Sequence, residues 1–509
     1  GLAERAVAAV MRPGVSVVNA DTPLEDLERL FVEERERLVL VARPAGYGVI
    51  TRMDLFRRLF ERQARAFPSA LPRLPGGKPS FHNVLARLRE RVGEERLALL
   101  QRVGEVASRL DMRAYLVGGA VRDVLLGRVP EDMDVVVEGN GVEVARLVAA
   151  DLGGRIHVHE PFLTAVITFP SGLRLDVATA RTEFYRYPAA LPEVERSALR
   201  LDLYRRDFTI NAMAITLNPQ GCGELVDFFG GQRDLEGKRI RVLHSLSFIE
   251  DPTRVVRAVR FATRLGFTLA PDTERLARVA VEEGVLARLS GERLRDEVFL
   301  LLDEEHPVEG LAELERLGVS KALFPELTWG RTTGRFLRQV EAILLWAAME
   351  RVYEGPKPLV FLAALALRGG ERAGELLAQR LGLAGEGRQV VAKVWEGVEK
   401  LLAVAAGPSS PSRVVEVLER TPLPWALLTL VVATPSQRQV VRLALTDWAR
   451  RPWPVRGADL VAQGVPEGPW IGHAVRAARA AVLDGAVSGE QALAYALSVC
   501  QELRREPGR

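Results

Sequence analysis

Two aspartates separated by one residue, Asp132 and Asp134, stand directly before an apolar run at 135–137. On a β-strand, residues i and i+2 point to the same face, so these two carboxylates would project side by side. Such a pair repels itself unless a divalent cation that prefers oxygen ligands neutralises it, and magnesium suits that role. The pair therefore predicts either a metal site, with Asp132 and Asp134 as ligands, or a solvated turn that carries two acids.

Two glycines, Gly118 and Gly119, lie between an apolar run at 115–117 and a helical segment that contains Arg122. Glycines after a strand let the backbone approach a phosphate closely, and the start of a helix supplies N–H donors. The pattern predicts a triphosphate site, or no more than a turn. With a triphosphate held there, two magnesium ions at the aspartate pair would activate an attacking hydroxyl and stabilise the leaving pyrophosphate, as in nucleotidyl transfer.

A third carboxylate, Asp176, lies within a predicted strand at 173–177 and has apolar neighbours. An acid in this position is a candidate to complete a two-metal site as a catalytic residue. The alternative is a strand-end acid that faces water.

A basic segment follows, in which Arg205 and Arg206 precede Asp207 and Asn211. Two arginines beside an acid at the mouth of an α/β fold would bind phosphate and ribose. Without the other motifs, a salt-bridged surface turn would explain them equally well. Three apolar residues of the segment are predicted to fill the core: Phe208, Ile210 and Met213.

A second basic segment opens with Asp251 as the predicted N-cap and Pro252 as the predicted first helical residue. Three arginines, each three residues apart, then fall along one face of the helix, and four apolar residues cover the other face. The basic stripe is either a solvated face or the second wall of a nucleotide cleft. The arginines are Arg254, Arg257 and Arg260, and the apolar residues are Val255, Val256, Val259 and Phe261.

The elements that must position these residues are of two kinds. Between about residues 114 and 214, strand-like runs at 115–117, 135–137, 165–169 and 173–177 alternate with helices. Beyond about residue 251 the pattern predicts helices alone, broken by Gly and Pro, with no fixed-period repeat. The predicted fold class is α+β multidomain: an α/β head at 83–245, a helical neck at 246–305, and an all-helical body and tail at 306–509.

Residues 1–63 predict a small separate α/β unit, with a helix at 23–31, strands at 38–42 and 47–51, and a helix that starts at Asp54. A segment at 64–82, rich in Pro and Gly, predicts a linker. Residues 11–13 and 48–55 resemble a single CBS motif, which implies adenosine-nucleotide sensing or dimerisation. Since CBS motifs work in pairs, we expect a partner motif upstream. The alternative interpretation of Thr51 and Asp54 is that they cap the following helix and do not bind a ribose.

Composition limits the possible classes of protein. The 509 residues are 48% hydrophobic and 27% charged with a net charge of +3, which is typical of a folded multidomain protein and not of a disordered one. No apolar run approaches the ~20 residues of a membrane span, and no secretory signal is visible, so a cytoplasmic location is expected. With only two cysteines, Cys222 and Cys500, a disulfide framework and a cysteine-rich zinc site are excluded.

In order and spacing, the motifs resemble one family, the class II tRNA nucleotidyltransferases, which comprise CCA-adding enzymes and bacterial poly(A) polymerases. The resemblance covers about residues 103–302. It rests on G-G-x-V-R-D with D-x-D, R-R-D-F-T-x-N-A, a hinge-like segment at 227–241, E-D-x-x-R at 250–254 and a helix at 292–297. It implies a polymerase-beta-like nucleotidyltransferase head.

The resemblance also implies roles for the residues above. Asp132 and Asp134 would bind two magnesium ions, Arg206 would hold the triphosphate, and Asp251 with Arg254 would act as a template for the base. A carboxylate accepts from the exocyclic amine of cytosine or adenine, and a guanidinium donates to ring acceptors, so CTP and ATP would be accepted. The remaining nucleotide-binding residues would be Gly118, Gly119, Arg122, Asp207, Asn211, Arg257 and Arg260.

The implied reaction is attack of the tRNA 3′-hydroxyl on CTP or ATP, with release of pyrophosphate. The segment at 182–205 is long enough for a flexible loop that CC-adding relatives lack, which favours CCA or A addition without choosing between them. Residues 457–485 resemble the tail that contacts the tRNA acceptor and T arm, or are a Gly/Pro-rich connection between helices. The rival hypotheses are a poly(A) polymerase and a catalytically silent, CBS-regulated nucleotide or RNA-binding protein.

Overall fold

A computed structural model describes residues 16–23, 26–27, 30, 38–44, 46–51, 82–184, 193–324, 330–407 and 410–505 of the chain. The chain divides into two compact units, Gly1–Ser80 and Phe81–Arg509. Within the described residues, no helix is both long and apolar enough to cross a bilayer.

The N-terminal unit contains a three-stranded sheet of β1 (Val17–Asn19), β2 (Leu38–Arg43) and β3 (Gly46–Thr51). The two predicted strands are confirmed as the antiparallel pair β2 and β3, whereas β1, which pairs parallel with β2, was not predicted. Leu27 and Val39 form the small core. The residues 11–13 and 52–55 of the CBS resemblance, and the linker up to residue 81, lie outside the described residues.

Nine strands of the described residues between 113 and 227 belong to the head; seven form one mixed sheet in the order β12-β11-β4-β5-β8-β7-β6, while β9 and β10 form a separate antiparallel hairpin. All four strand segments predicted in the head lie in this sheet, because their alternating or continuous apolar side chains fill its buried faces. The strands are β4 (Arg113–Val117), β5 (Asp134–Glu138), β6 (Arg155–His159), β7 (Thr164–Thr168), β8 (Arg174–Thr179), β9 (Arg181–Phe184), β10 (Glu193–Arg196), β11 (Met213–Thr216) and β12 (Leu225–Asp227).

Five helices accompany these strands: α1 (Leu85–Arg109), α2 (Gly119–Leu125), α3 (Gly141–Leu152), α4 (Leu199–Tyr204) and α5 (Gly231–Glu236). Helix α1 packs against α3 and β4. The close approach needs Gly104, since a Cβ there would lie 2.0 Å from the carbonyl oxygen of Leu217. Phe208, Ile210 and Met213 are fully buried, as the sequence predicts.

The neck comprises β13 (Arg239–Ile240), α6 (Ser247–Glu250), α7 (Thr253–Leu265), β14 (Thr268–Leu269), α8 (Pro271–Glu282) and α9 (Gly291–Asp303). The prediction that strands end before residue 251 is wrong, because β14 pairs parallel with β13. Helix α7 begins one residue later than predicted, with Pro252 at the N-cap. Helix α9 packs directly on α7, so the two helices form one wall of the molecule beside the head.

The rest of the chain is helical, as predicted. Most of its breaks fall at Gly or Pro, where a helix cannot continue or can turn sharply. The helices are α10 (Pro307–Arg316), α11 (Val319–Leu323), α12 (Arg331–Met349), α13 (Lys357–Gly369), α14 (Ala373–Arg380), α15 (Gly385–Ala392), α16 (Val394–Ala406), α17 (Pro411–Glu419), α18 (Leu423–Val432), α19 (Pro435–Thr446), α20 (Gly457–Ala462), α21 (Pro469–Leu483) and α22 (Ala492–Arg505).

Candidate active site

The glycine turn connects β4, which ends at Val117, to α2, which begins at Gly119. Gly118 has a φ of 73°, a left-handed conformation that side chains of L-residues disfavour. A Cβ at Gly118 would lie 2.8 Å from Nη1 of Arg206 and 3.7 Å from Oδ2 of Asp134. The missing side chain therefore lets the guanidinium of Arg206 lie over the turn and beside the carboxylate of Asp134.

The predicted carboxylates lie at the same edge of the sheet. Asp134 is the first residue of β5, and its register partner on the parallel strand β8 is Asp176. Asp132 precedes the strand, so the prediction that strand geometry aligns both members of the pair is wrong. Burial raises the pKa of Asp134, as do the negative charges of Asp176 and Asp132, while Arg206 opposes them. The three carboxylates thus share one electrostatic environment.

The chemistry of this cluster suits a hard divalent cation, because all the donors are carboxylate oxygens and their mutual repulsion would be relieved by one. Arg174 supplies part of the compensating charge, with Nε 3.0 Å from Oδ1 of Asp176. In the part of the chain that the structure describes, no three His, Cys, Asp or Glu side chains are already arranged around a common metal position. The carboxylates of Asp132 and Asp134 are donors of the kind that such a cation prefers, while Arg174 pairs with Asp176.

Arg205 and Arg206 are held by a residue that sequence reasoning missed, Asp202 on α4. The Asp202 side chain is fully buried, and its carboxylate accepts from Nη2 of Arg205 at 2.7 Å and from Nη2 of Arg206 at 3.2 Å. It also accepts from the backbone N–H of Arg181 at the base of the β9–β10 hairpin. Burial alone would raise the pKa of Asp202, but the two arginines lower it below its usual range.

A buried hydrogen-bond chain runs from the glycine turn to α7. Arg122 donates to Oδ1 of Asn211 at 2.9 Å, Asn211 donates to Oδ1 of Asp207 at 3.0 Å, and Arg257 donates to Oδ2 of Asp207 at 2.6 Å. Although burial opposes it, Arg257 and Asn211 lower the pKa of Asp207. Asp207 and Asn211, predicted as nucleotide ligands, are therefore bound here to the arginines of the cleft.

Asp251 and Arg254 lie side by side but have separate partners. Oδ1 of Asp251 accepts from Thr253 and, at 2.8 Å, from Arg293 of α9, while Oδ2 lies 3.9 Å from Nε of Arg254. Arg254 is buried and donates to the backbone carbonyls of Arg205 at 2.8 Å and Arg206 at 3.2 Å. Arg254 thus joins helix α7 to the arginine segment of the head.

The basic stripe of α7 faces the cleft and not bulk solvent, and one residue assigned to the opposite face faces the cleft as well. Phe261 lies beneath the guanidinium groups of Arg122, Arg257 and Arg260, each 5.0 to 5.6 Å from its ring centroid. The prediction that Phe261 covers the apolar face is wrong, because Phe261 lies four residues after Arg257 and therefore on the same side of the helix as the arginines, where cation–π attraction holds them. Glu297 of α9 pairs with Arg257 at 3.2 Å and with Arg260 at 3.4 Å.

One cleft of about 650 Å³ brings most of these residues together. From the predicted set it contains Gly118, Gly119, Arg122, Asp134, Arg206, Asp207, Asn211, Asp251, Arg254, Arg257 and Arg260, and it leaves out Asp132 and Asp176. A glycine turn, a carboxylate and a surplus of arginines in one cleft can bind a polyanion against an acidic edge.

The structure adds residues that the sequence analysis did not assign to the cleft: Thr253, Phe261, Arg264, Arg293, Asp296 and Glu297. Asp202 had a local signal, since it lies three and four residues before Arg205 and Arg206 on a helix. Arg264 had one too, because it continues the α7 stripe at i+4 from Arg260. Arg293 and Glu297 depend on the packing of α9 against α7, which no local pattern reveals.

A mixed α/β head with this cleft, joined to a helical body, defines a nucleotidyltransferase architecture. Two family models match the chain: the poly A polymerase head domain at residues 114–241, and the probable RNA and SrmB-binding site of polymerase A at residues 266–329.

The chain is similar to the A-adding tRNA nucleotidyltransferase of Geobacter sulfurreducens, with 37% identity over 88% of this chain and 52% of that protein. It spans about half the length of this curated relative. Among solved structures, a CCA-adding enzyme of Thermotoga maritima complexed with tRNA has a TM-score of 0.68, at 32% identity over 84% of this chain and 100% of that one. A CCA-adding enzyme complexed with ATP has a TM-score of 0.70, at 32% identity over 85% of this chain and 99% of that one. The chain belongs to the class II tRNA nucleotidyltransferase family.

Proposed function

We propose that this chain transfers nucleotidyl groups to the 3′ end of tRNA, from ATP alone or from CTP and ATP, with release of pyrophosphate. The observation that carries the proposal is the single cleft in which the glycine turn, Asp134 and the arginines of two segments meet. The names of the relatives support it, since one is A-adding and the solved ones are CCA-adding. Working on tRNA, the chain would act in the cytoplasm.

The triphosphate would lie over the turn at Gly118 and Gly119, where Arg206 already places a guanidinium. Asp132 and Asp134 would hold two magnesium ions, which when bound supply activation of the 3′-hydroxyl and stabilisation of the pyrophosphate. The protein's own contribution is positional. Asp202 fixes Arg206, and the chain of Arg122, Asn211, Asp207 and Arg257 fixes the opposite wall.

Asp251 and Arg254 would read the base edge. The separation of 3.9 Å between Oδ2 of Asp251 and Nε of Arg254 is too long for a direct hydrogen bond, which leaves hydrogen-bonding capacity on both groups. Arg293 and the carbonyls of Arg205 and Arg206 hold the two side chains in place. Recognition of the base edge by these two fixed polar side chains supports a preference for CTP and ATP over UTP and GTP.

The base-reading role is tested by competition of ATP or CTP against GTP and UTP. We expect Asp251→Ala to lose about ten- to a hundredfold in selectivity, since a good base contact is worth roughly 1 to 3 kcal/mol. Arg254→Ala should lose selectivity and also stability, because it leaves two backbone carbonyls without their donor. Arg275→Ala, on the exposed face of α8, is the matched control. Unchanged selectivity in both cleft variants would refute the role.

The overall activity is tested with three tRNAs: one lacking CCA, one lacking only the final A, and one complete. Each is incubated with magnesium and a single nucleotide or with both. Incorporation of A into the second tRNA alone would identify an A-adding enzyme, and extension of the first tRNA by CCA would identify a CCA-adding enzyme. Long A tracts on unrelated RNA would favour the poly(A) polymerase, and no incorporation would favour the silent binding protein.

For the N-terminal unit we infer adenosine-nucleotide sensing or dimerisation, supported by the resemblance at 11–13 and 48–55. A chain that begins at Phe81 should extend tRNA at nearly the full rate, because residues 81–509 form a compact unit of their own. Activity of the full chain that responds to AMP, but not in the shortened chain, would support the sensing role.

A further inference from the structure

The cleft carries more positive charge than its own carboxylates balance. Eight arginines line it, against five Asp and Glu side chains. A surplus of this kind attracts a polyanion, but a guanidinium that is already committed to a carboxylate binds a ligand less freely. The partners of each arginine therefore show which cation is available to a substrate.

Seven of the eight arginines have a partner within the protein. Asp202 pairs with Arg205 and Arg206, Asp207 pairs with Arg257, and Glu297 pairs with Arg260. Asp123 pairs with Arg122 and Asp251 pairs with Arg293, while Arg254 donates to backbone carbonyls. Arg264 is the exception: among the residues that the structure describes, its side chain has neither an ion pair nor a hydrogen bond.

Arg264 lies in the last turn of α7, and its side chain is exposed at the rim of the cleft. It is four residues after Arg260, on the same side of the helix and roughly 6 Å further along the axis. From Arg254 it is displaced by ten residues, or roughly 15 Å along that axis. It thus stands at the opposite end of the wall from the predicted base-reading pair.

A cation at the C-terminal end of a helix also interacts favourably with the helix dipole. This interaction needs only a positive charge, contributes to the stability of the fold and does not depend on a ligand. It does not account for the position of Arg264 on the cleft side of α7, in line with the other arginines of the stripe.

We propose that Arg264 binds a phosphate group of the substrate at the open end of the cleft. The proposal rests on the proposed function, since a nucleotidyltransferase presents two sources of phosphate here: the triphosphate of the nucleotide and the phosphodiester backbone at the 3′ end of the RNA. A guanidinium with no internal partner can make a bidentate, charge-assisted contact to either one.

The test measures equilibrium binding of ATP and of tRNA separately from incorporation. Arg264→Gln should weaken binding of one ligand by about tenfold or more, as expected for a lost hydrogen bond to a charged group. Arg264→Lys keeps the positive charge but not the two parallel N–H donors of the guanidinium, so it should retain part of the affinity that Arg264→Gln loses. Arg155→Gln, an exposed arginine on the edge strand β6 and outside the cleft, should leave both affinities unchanged.

Salt dependence distinguishes the two sources. If the RNA backbone is bound, tRNA affinity falls in Arg264→Gln and its logarithmic salt slope decreases by about 0.7 to 0.9. If the triphosphate is bound, ATP affinity falls and the tRNA slope is unchanged. Unchanged affinities for both ligands, or a loss that equals that of Arg155→Gln, would overturn the proposal. A wild-type chain that binds ATP and tRNA but incorporates nothing would refute the proposed function and not this contact.

Discussion

Asp202 is the buried anion on which the arginine segment of the cleft depends, so replacing it by Asn tests the structure sharply. Asn has the same shape and still accepts a hydrogen bond from the backbone of Arg181, but it removes the charge from Arg205 and Arg206. Three bonds from the two guanidinium groups reach Asp202. Bonds to charged groups exceed neutral ones by roughly 1 kcal/mol each, so the expected loss of stability is about 3 kcal/mol.

The pH dependence of this loss has a defined sign. The pKa of Asp202 is lower in the folded protein than in the unfolded chain, since Arg205 and Arg206 outweigh the effect of burial. The carboxylate therefore stabilises the fold fully above its unfolded pKa of about 3.9, and this contribution disappears as the pH falls through the folded pKa. The difference in stability between wild type and Asp202→Asn should accordingly be constant from pH 8 to 5 and shrink only below about pH 4.

Urea unfolding measures the stability, and the KM for ATP measures the positioning of Arg206. We expect both to change, with KM rising more than kcat falls, because Arg206 faces the predicted triphosphate position and not the attacking hydroxyl. Glu274→Gln is the control: Glu274 also pairs with two arginines, Arg316 and Arg278, but near the surface, where such pairs contribute about 0 to 1 kcal/mol. Equal losses in the two variants, or an unchanged KM in Asp202→Asn, would refute the reasoning.

Three further perturbations follow from the site. Gly118→Ala should raise the KM for ATP about tenfold by displacing Arg206, and the strained backbone should cost roughly 1 to 2 kcal/mol of stability. Gly172→Ala is the control: Gly172 has a φ of 85° with open space around it, so this variant should show only the loss of stability. Asp134→Asn should abolish nucleotide incorporation. It should not lower the urea midpoint, because the pKa of Asp134 is raised and its ionised form is disfavoured in the folded protein. Appreciable residual incorporation would contradict the assignment of Asp134 as a metal ligand. Burial, with Arg254 nearby, lowers the pKa of His244 to about 3. Below pH 6.5 the unfolded chain therefore binds a proton at His244 that the folded protein does not bind, so the free energy of unfolding should fall by about 1.4 kcal/mol per pH unit. His244→Gln should flatten this pH profile.

The sequence by itself determined the local elements of the head and the types of residue at its site. Strands around β4, β5, β7 and β8, the turn at Gly118 and the helical neck and body all follow from periodicity and from the conformational preferences of Gly and Pro. The order of the motifs was sufficient to identify the family. These features are readable because each depends on residues within a few positions of one another.

The tertiary structure alone decided how the site residues are used. The pairing of Asp134 with Asp176 is a matter of register between two strands that are 42 residues apart in sequence, and no local pattern specifies it. The contact of the Phe261 ring with Arg122 depends on how α2 and α7 pack together, which the periodicity of α7 does not reveal. Arg254 looks like a solvated arginine until the carbonyls of Arg205 and Arg206 are placed against it.

The same limit explains why the partners of Asp202, and the lack of a described partner for Arg264, are visible only in the structure, although both residues have a local signal in the sequence. The availability of a charged group depends on which opposite charges are packed against it, and those come from α4, α7 and α9 together. Sequence spacing can show that an arginine is present on a cleft-facing stripe. Only the packing of distant elements determines whether its charge is already neutralised, because electrostatic pairing depends on distance in space and on burial and not on distance along the chain.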